Sequence, residues 1–434
     1  MKKVKINLLS IAFRNIGRHK VKTILTSSAI AIGIALYIWM DAWLLGMNLD
    51  SRRNLINYET GSVKIYSKEY FENKDELPMY DNFKNYQPII DKLDKAGYNA
   101  APHFVFTGSL LSQEQELPFI FVGIDPEQEK KVLNYYNFVE KGSFVKNGQF
   151  NVLIGVKGAK DLNITIGDRI RASITIDIKD ELGKIRHVNQ LIELTVGGIV
   201  NSPNPKTNGY IAYLPLDVLQ DEKGLMLNGK ITEICIRKKG VELHQLPKKD
   251  ESSESITKIL GSTLPSDLVA VGWKKDAKDY LAMSAGDKVS TYIMIGILFI
   301  LAIVGIANTM LMAIFERTKE IGMLRAIGMK GSDIMRLFIF EAGFIGLIGS
   351  IFGVAFGLLL DYWIIYYGID YTNVLDQANM QDFGYRIVGI FKGAWNFHTI
   401  IASPIVATLV AGITAILPAI KAVKMSIVDA LRFE

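Results

Sequence analysis

A single cysteine, Cys235, in 434 residues excludes an internal disulfide framework and a zinc–thiolate cluster. The five histidines (His19, His103, His187, His244 and His398) show neither metal-ligand spacing nor an HExxH pair. There is no GxSxG elbow and no GxxxxGK followed by Ser or Thr, so the chain lacks the phosphate loop that would let it hold ATP by itself. Charge is nearly balanced, at a formal +5, which is not the footprint of a nucleic-acid binder. Cys235 sits in the strand-like Ile231–Ile236 and reads as a small buried hydrophobe.

What the sequence does contain is apolar residues in blocks. Mean hydropathy is +0.21 although 21% of residues are charged. The excess lies in four runs: Ile24–Gly46, with Asp41 as its single charge, Tyr292–Phe315, Leu337–Leu360, with Glu341 near its start, and Ile400–Ile420. Each is long enough, at about 1.5 Å per residue, to cross a hydrocarbon core of about 30 Å. The first reads as a retained anchor, because no small-x-small cleavage site follows Trp43-Leu44-Leu45-Gly46. Lys2, Lys3, Lys5, Arg14, Arg18, Lys20 and Lys22 precede the first run, and Arg317, Lys319, Arg325, Lys330 and Arg336 lie between the second and third. Lys421, Lys424 and Arg432 follow the fourth, so the positive-inside rule puts all three segments, and both termini, in the cytoplasm.

The expected fold class is therefore an α-helical membrane protein with four transmembrane helices, one plus three. A large extracytoplasmic α+β domain is inserted after the first. The division is residues 1–46, 47–290 and 291–434. In the outer domain, Gly61–Ser67, Phe119–Gly123, Asn151–Gly155 and Leu191–Val200 read as strands, and Gln87–Ala96 and Pro126–Leu133 as short helices. Two lobes are expected, with residues 125–229 an inserted β-rich one. Ile170–Ile178 and Ile185–Val196 alternate around Gly183 as a long hairpin, either a protruding docking surface or ordinary sheet. Asp41 reads either as an interfacial side chain reaching water or as one facing a lipid-entry cavity. Asn308 and Thr309 read as helix–helix hydrogen-bonding residues.

The most specific stretch is the cytoplasmic loop 316–336. A helix is expected to present Arg317, Ile321, Leu324 and Ala326–Gly328 on one contact surface. Glu316 and Glu320 are spaced as an i,i+4 like-charge pair. Gly328 and Gly331 should break that helix, with Ser332 capping the next and Asp333 in its first turn. The pattern suits either a surface that docks another protein or a solvated connector.

Glu316-Arg317, Glu320-Ile321-Gly322, Leu324-Arg325-Ala326-Ile327-Gly328, Asp333-Ile334 and Glu341 resemble the signature of the FtsX/MacB-type permeases of ABC transporters. Ala12-Phe13-Arg14-Asn15 with Arg18 resembles that family's opening, and Pro418-Ala419, Ala422 and Ala430–Glu434 its closing motif. The resemblance implies a non-catalytic permease subunit that binds no cofactor. ATP and Mg²⁺ would belong to a separate cytoplasmic ATPase in two copies, and a second permease would complete a homodimer or heterodimer. Glu316, Arg317, Glu320, Ile321, Gly322, Leu324, Arg325 and Gly328 would form the ATPase-coupling segment.

Val122–Pro126, Asn151–Gly155, Gly167-Asp168-Arg169-Ile170-Arg171 and Val196–Ile199 resemble the lipoprotein-releasing branch. In that branch a hairpin at this position hooks a periplasmic lipoprotein carrier. Here the corresponding residues are Asp177, Asp180, Glu181, Leu182, Gly183 and Lys184, without the proline expected of such a hook. The branch implies extraction of lipoproteins from the bacterial inner membrane, with membrane lipid as a further partner and no nucleic acid. A MacB-like export pump, an FtsX-like signalling permease and a membrane-anchored receptor or enzyme are the competing expectations.

Overall fold

The computed structural model describes residues 8–18, 20–179, 185–221, 223–242, 245–370 and 390–424. It divides into two compact units. One comprises Met1–Met47, Ser284–Asp370 and Phe391–Glu434; the other comprises Asn48–Met283 and Tyr371–Ile390.

Three helical stretches among the described residues are long and apolar enough to cross a membrane: Thr23–Thr60, Gly331–Tyr366 and Phe397–Lys424. The run expected over Tyr292–Phe315 lies in the continuous helix Lys278–Glu316, within which Ile303–Glu316 is a shorter apolar stretch. Small residues let these helices approach closely. Gly349, Gly353 and Gly357 line one face of the Gly331–Tyr366 helix at four-residue intervals, against Ile30, Ile34 and Ile38 of the first helix. Gly346 meets Ala411 in the same way. Thr309 donates to the Gly305 carbonyl of its own helix, so it does not bridge helices as expected. Asp361, expected just outside the third run, is instead buried inside the helix that continues to Tyr366.

A side chain at Gly353 would begin 2.8 Å from the Ala31 carbonyl oxygen. Gly353→Val should therefore destabilise the detergent-solubilised chain by about 1–3 kcal/mol, read as a lower Tm. Gly343, with nothing within 4 Å of a built Cβ, is the control position. Equal melting of Gly353→Val and Gly343→Val would refute the close packing.

The second unit is built on one ten-stranded sheet. Its strands are β1 (Val63–Ser67), β2 (Tyr98–Leu111), β3 (Glu116–Ile124), β4 (Val139–Gly142), β5 (Asn151–Gly155), β6 (Arg169–Lys179), β7 (Ile185–Val200), β8 (Ile211–Pro215), β9 (Glu233–Lys238) and β10 (Leu268–Gly272). The order is β10-β1-β9-β2-β3-β8-β5-β7-β4, with β6 paired to β2 and β7. β3–β8 and β5–β7 are parallel pairs. Residues 125–229, expected as an inserted β-rich lobe, contribute β4 to β8 to this sheet, and β8 hydrogen-bonds directly to β3. Cys235 is fully buried on β9, as its apolar neighbours require. The helices expected at Gln87 and Pro126 form over Gln87–Lys95 and Pro126–Val132, each with proline in its first turn. Asp125 caps the second, its carboxylate accepting from the amides of Glu127 and Gln128.

β6 and β7 form the long hairpin, in register from Arg169↔Thr195 to Lys179↔Ile185. β2 pairs with β6 only through Arg171, Ala172 and Ser173. Beyond Ser173, β6 has β7 as its strand partner among the described residues, so this part is a two-stranded ribbon. Asp177 pairs with His187 in that register. Asp180, Glu181, Leu182, Gly183 and Lys184 lie outside the described residues.

Candidate functional site: the loop between the second and third long helices

The helix that begins at Lys278 ends at Glu316. Arg317 leaves helical geometry (φ −104°, ψ 14°), and a new helix runs from Thr318 to Ala326. Glu316 and Glu320 are consequently not one face of one helix, which corrects the expected like-charge pair. The hydroxyl of Thr318 donates to the carbonyls of Ile314 and Phe315, which secures the break. Gly328, at φ +102°, ends the short helix, with its amide on the Arg325 carbonyl and that of Met329 on Leu324. Only glycine adopts that backbone without strain, so this glycine is a true chain stop. The next helix begins at Gly331 with Lys330 before it, placing Ser332 inside rather than at the cap and Asp333 in the first turn.

Arg317 does not belong to an exposed contact surface. Its guanidinium is buried, with Nη1 donating to both Glu341 oxygens at 3.2 and 3.0 Å and Nε donating to Glu320 at 3.2 Å. The ring of Phe338 lies 5.7 Å from its carbon Cζ. Asn15, from the short N-terminal helix Leu8–Ile16, donates to Glu341 at 3.5 Å. Arg18 reaches Glu320 at 3.5 Å across an exposed rim. One buried pair therefore joins the N-terminal segment, the loop and the third long helix. The guanidinium serves two carboxylates from separate nitrogens, Nη1 to Glu341 and Nε to Glu320, a spread that a lysine would not reproduce.

Ile321 and Gly322 are also buried, and Ile321 belongs to the cluster that holds Ile314, Ile334 and Phe338 with Ala415, Ala419 and Ala422 of the C-terminal segment. A Cβ on Gly331 would fall 2.6 Å from Val423. The expected surface thus splits in two. Arg317, Ile321 and Gly322 hold the loop from within, whereas Met323, Leu324 and Ile327 face outward. Ile327 is 85% exposed, an apolar side chain at the tip of a cationic loop. Glu316 is exposed, and Arg325 is half-buried.

Asp41 is half-buried, and its carboxylate accepts from Asn396 at 2.7 Å, beside an Ala394 amide bonded to the Ala42 carbonyl. That hydrogen bond ties the first long helix to the start of the last. Sequence reasoning missed this tie because Asn396 lies 355 positions away. The Arg317–Glu341 pair was signalled in part, since an isolated carboxylate near the start of an apolar run demands a partner.

Residues 23–242 match the MacB-like periplasmic core domain family, and residues 292–427 match the FtsX-like permease C-terminal family. An uncharacterized ABC transporter permease of Methanocaldococcus jannaschii is 25% identical across 99% of this chain and 98% of its own length. The lipoprotein-releasing system transmembrane protein LolC of Xylella fastidiosa is 21% identical across 93% of this chain and 92% of its own. The macrolide export ATP-binding/permease protein MacB of Acinetobacter baylyi is 23% identical across 99% of this chain, which spans 60% of that protein. With both matches in the order expected of one outer domain followed by a permease end, the chain belongs to the FtsX/MacB-type permeases of ABC transporters.

Proposed function

We propose that this chain is a four-span permease subunit of the cytoplasmic membrane, with both termini inside. It pairs with a second permease and is driven by a separate ATPase that carries the ATP and Mg²⁺. The observation that carries the reading is the loop's division of labour: a buried Arg317–Glu341 clamp behind an exposed Met323, Leu324 and Ile327 tip. An apolar tip on a cationic cytoplasmic loop suits a pocket on a partner, since exposed apolar clusters mark interaction surfaces. Closure of two ATPase copies would push the tip, and the clamp would pass the push to the third long helix.

For the substrate, we favour lipoproteins extracted from the membrane and handed to a soluble carrier. Support comes from the near full-length likeness to LolC and from the ribbon formed by β6 and β7 beyond Ser173. Replacing residues 178–188 by a tight turn should leave ATPase coupling intact while slowing transfer of a fluorescent acylated lipoprotein from proteoliposomes to the carrier. Wild-type transfer by the shortened ribbon would return it to a structural role. The second reading, export of peptides or amphiphiles, is favoured by the likeness to MacB. Under it, the same proteoliposomes would expel an amphiphilic dye and leave the lipoprotein in place.

A further inference from the structure

One groove in the helical unit is lined almost wholly by carbon. Ile339, Gly343 and Leu347 of the helix Gly331–Tyr366 form one wall, and Leu409 and Gly412 of the helix Phe397–Thr414 form the other. Leu9 of the short helix Leu8–Ile16 and Ile416, the first residue of the helix Ile416–Lys424, stand at one end. No side chain fills the floor: a Cβ on Gly343 would meet nothing within 4 Å, and one on Gly412 would have its nearest neighbour, in Ile339, at 3.6 Å. The groove holds about 350 Å³ and is open to the surroundings of the bundle. The stretch from Ile339 to Leu347 is about 12 Å long at 1.5 Å per residue, less than half of a hydrocarbon core of about 30 Å, so the groove belongs to one leaflet. A helix about 10 Å across would need about 900 Å³ to lie along that length. A neighbouring helix therefore does not fit, whereas a flexible acyl chain does.

The two short helices at that end carry free positive charge. In Leu8–Ile16, Ala12 and Asn15 are buried while Leu9 and Phe13 are exposed, the pattern of a helix lying in a membrane interface. Phe13 sets its ring edge-on to Phe344, which also lines the groove, at 5.8 Å, and Arg14 follows directly. In Ile416–Lys424, Leu417, Lys421 and Lys424 share one exposed face. Arg14, Lys421 and Lys424 are all exposed, and none has an ion-pair partner among the described residues. Glu341, the carboxylate nearest in sequence to the groove wall, is buried and already bound to Arg317. Unpaired basic side chains at the edge of an apolar groove complement an anionic headgroup on an acyl chain.

We propose that this groove holds one anionic phospholipid of the cytoplasmic leaflet, with an acyl chain over Gly343 and Gly412 and the headgroup among Arg14, Lys421 and Lys424. The naming of the leaflet rests on the orientation proposed above; the preference for an anionic lipid does not. The site is separate from the transported substrate and from ATPase docking.

The test uses the full chain in mild detergent, loaded with phosphatidylglycerol or with phosphatidylcholine of the same acyl chains and weighed by native mass spectrometry. One phosphatidylglycerol per chain should be retained in preference to phosphatidylcholine. Gly343→Leu, which fills the floor, should abolish that retention. Arg14→Gln and Lys421→Gln should each reduce the preference by about fivefold, the worth of one basic side chain near an anionic surface. Folding is verified by a wild-type melting temperature; if Gly343→Leu fails that check, the two exposed charge variants decide. Ser10→Cys reports the leaflet separately, since an impermeant thiol reagent should label it only in broken cells, and labelling in intact spheroplasts would overturn the cytoplasmic assignment alone. Equal retention of the two lipids or wild-type preference in folded variants would overturn the site. So would a dimer that Gly343→Leu dissociates with lipid retention unchanged, which would give the groove to a second copy of the chain.

Discussion

Arg317→Met should lower the stability of the cytoplasmic end by about 3–5 kcal/mol, because it strands the Glu341 carboxylate without its buried counterion. Glu341 is 6% exposed, and its remaining hydrogen bond, from Asn15 at 3.5 Å, is long. The double variant Arg317→Met/Glu341→Leu should recover most of that loss, since replacing both partners by apolar groups removes the unpaired charge. Stability and coupling should then separate. The double variant would melt near the wild-type temperature, yet its ATPase would turn over with little transport, because the buried ion pair that fixes the loop's orientation on the third long helix would be gone. The checks are a melting curve in detergent and ATPase and transport rates in proteoliposomes. Full transport by the stable double variant would show that the pair holds the fold and transmits nothing.

Raising the pH from 6.5 to 9 should weaken the outer domain by about 3 kcal/mol, at 1.36 kcal/mol per pKa unit. Burial alone would push the His103 imidazolium down, but Glu129 and Glu233 outweigh it and raise it from an ordinary 6.5 to about 9. A raised folded-state pKa stabilises fully below the unfolded value, and that stability is lost as pH climbs through the folded value. Glu233 behaves oppositely. Burial opposes its charge, yet Lys64 and His103 hold its carboxyl well below the usual range, so its contribution is present at neutral pH and fades in acid. The groups facing His103 are Glu129 from the Pro126–Val132 helix, Glu233 on β9 and, beyond it, Lys64 on β1. Urea midpoints at several pH values, read from exposure of Cys235 with thiols counted after transfer to one pH, measure the outer domain alone. His103→Gln should flatten the alkaline slope; an unchanged slope would assign it to other groups.

How legible these features were depends on the range of the interaction involved. The strand at Asn151–Gly155 and the pairing of the two hairpin strands follow from local period and turn chemistry, and the structure has that strand where the pattern puts it and β6 paired with β7 along its length. The loop was legible as a motif but not as a geometry. A helix continuing through Arg317 is locally reasonable. It breaks because the guanidinium is drawn to Glu341, 24 positions on, and the Thr318 hydroxyl bonds back to the preceding turn. The exposed tip at Ile327 could not be separated from the buried Ile321 without knowing that the C-terminal alanines pack beneath the loop. In the outer domain, His103, Glu129 and Glu233 lie far apart in sequence with no spacing to join them. Cross-strand register brings His103 to Glu233, and the helix capped by Asp125 supplies Glu129.

The most direct test of the coupling role is capture from mild detergent, with mass spectrometry of what the permease retains. The wild-type chain should retain an ABC ATPase in a two-to-two complex with permease subunits, and Ile327→Asp should release that ATPase while inserting and melting as wild type does. A wild-type chain that retains no ATPase, or an Ile327→Asp chain that keeps it in full, would contradict the account.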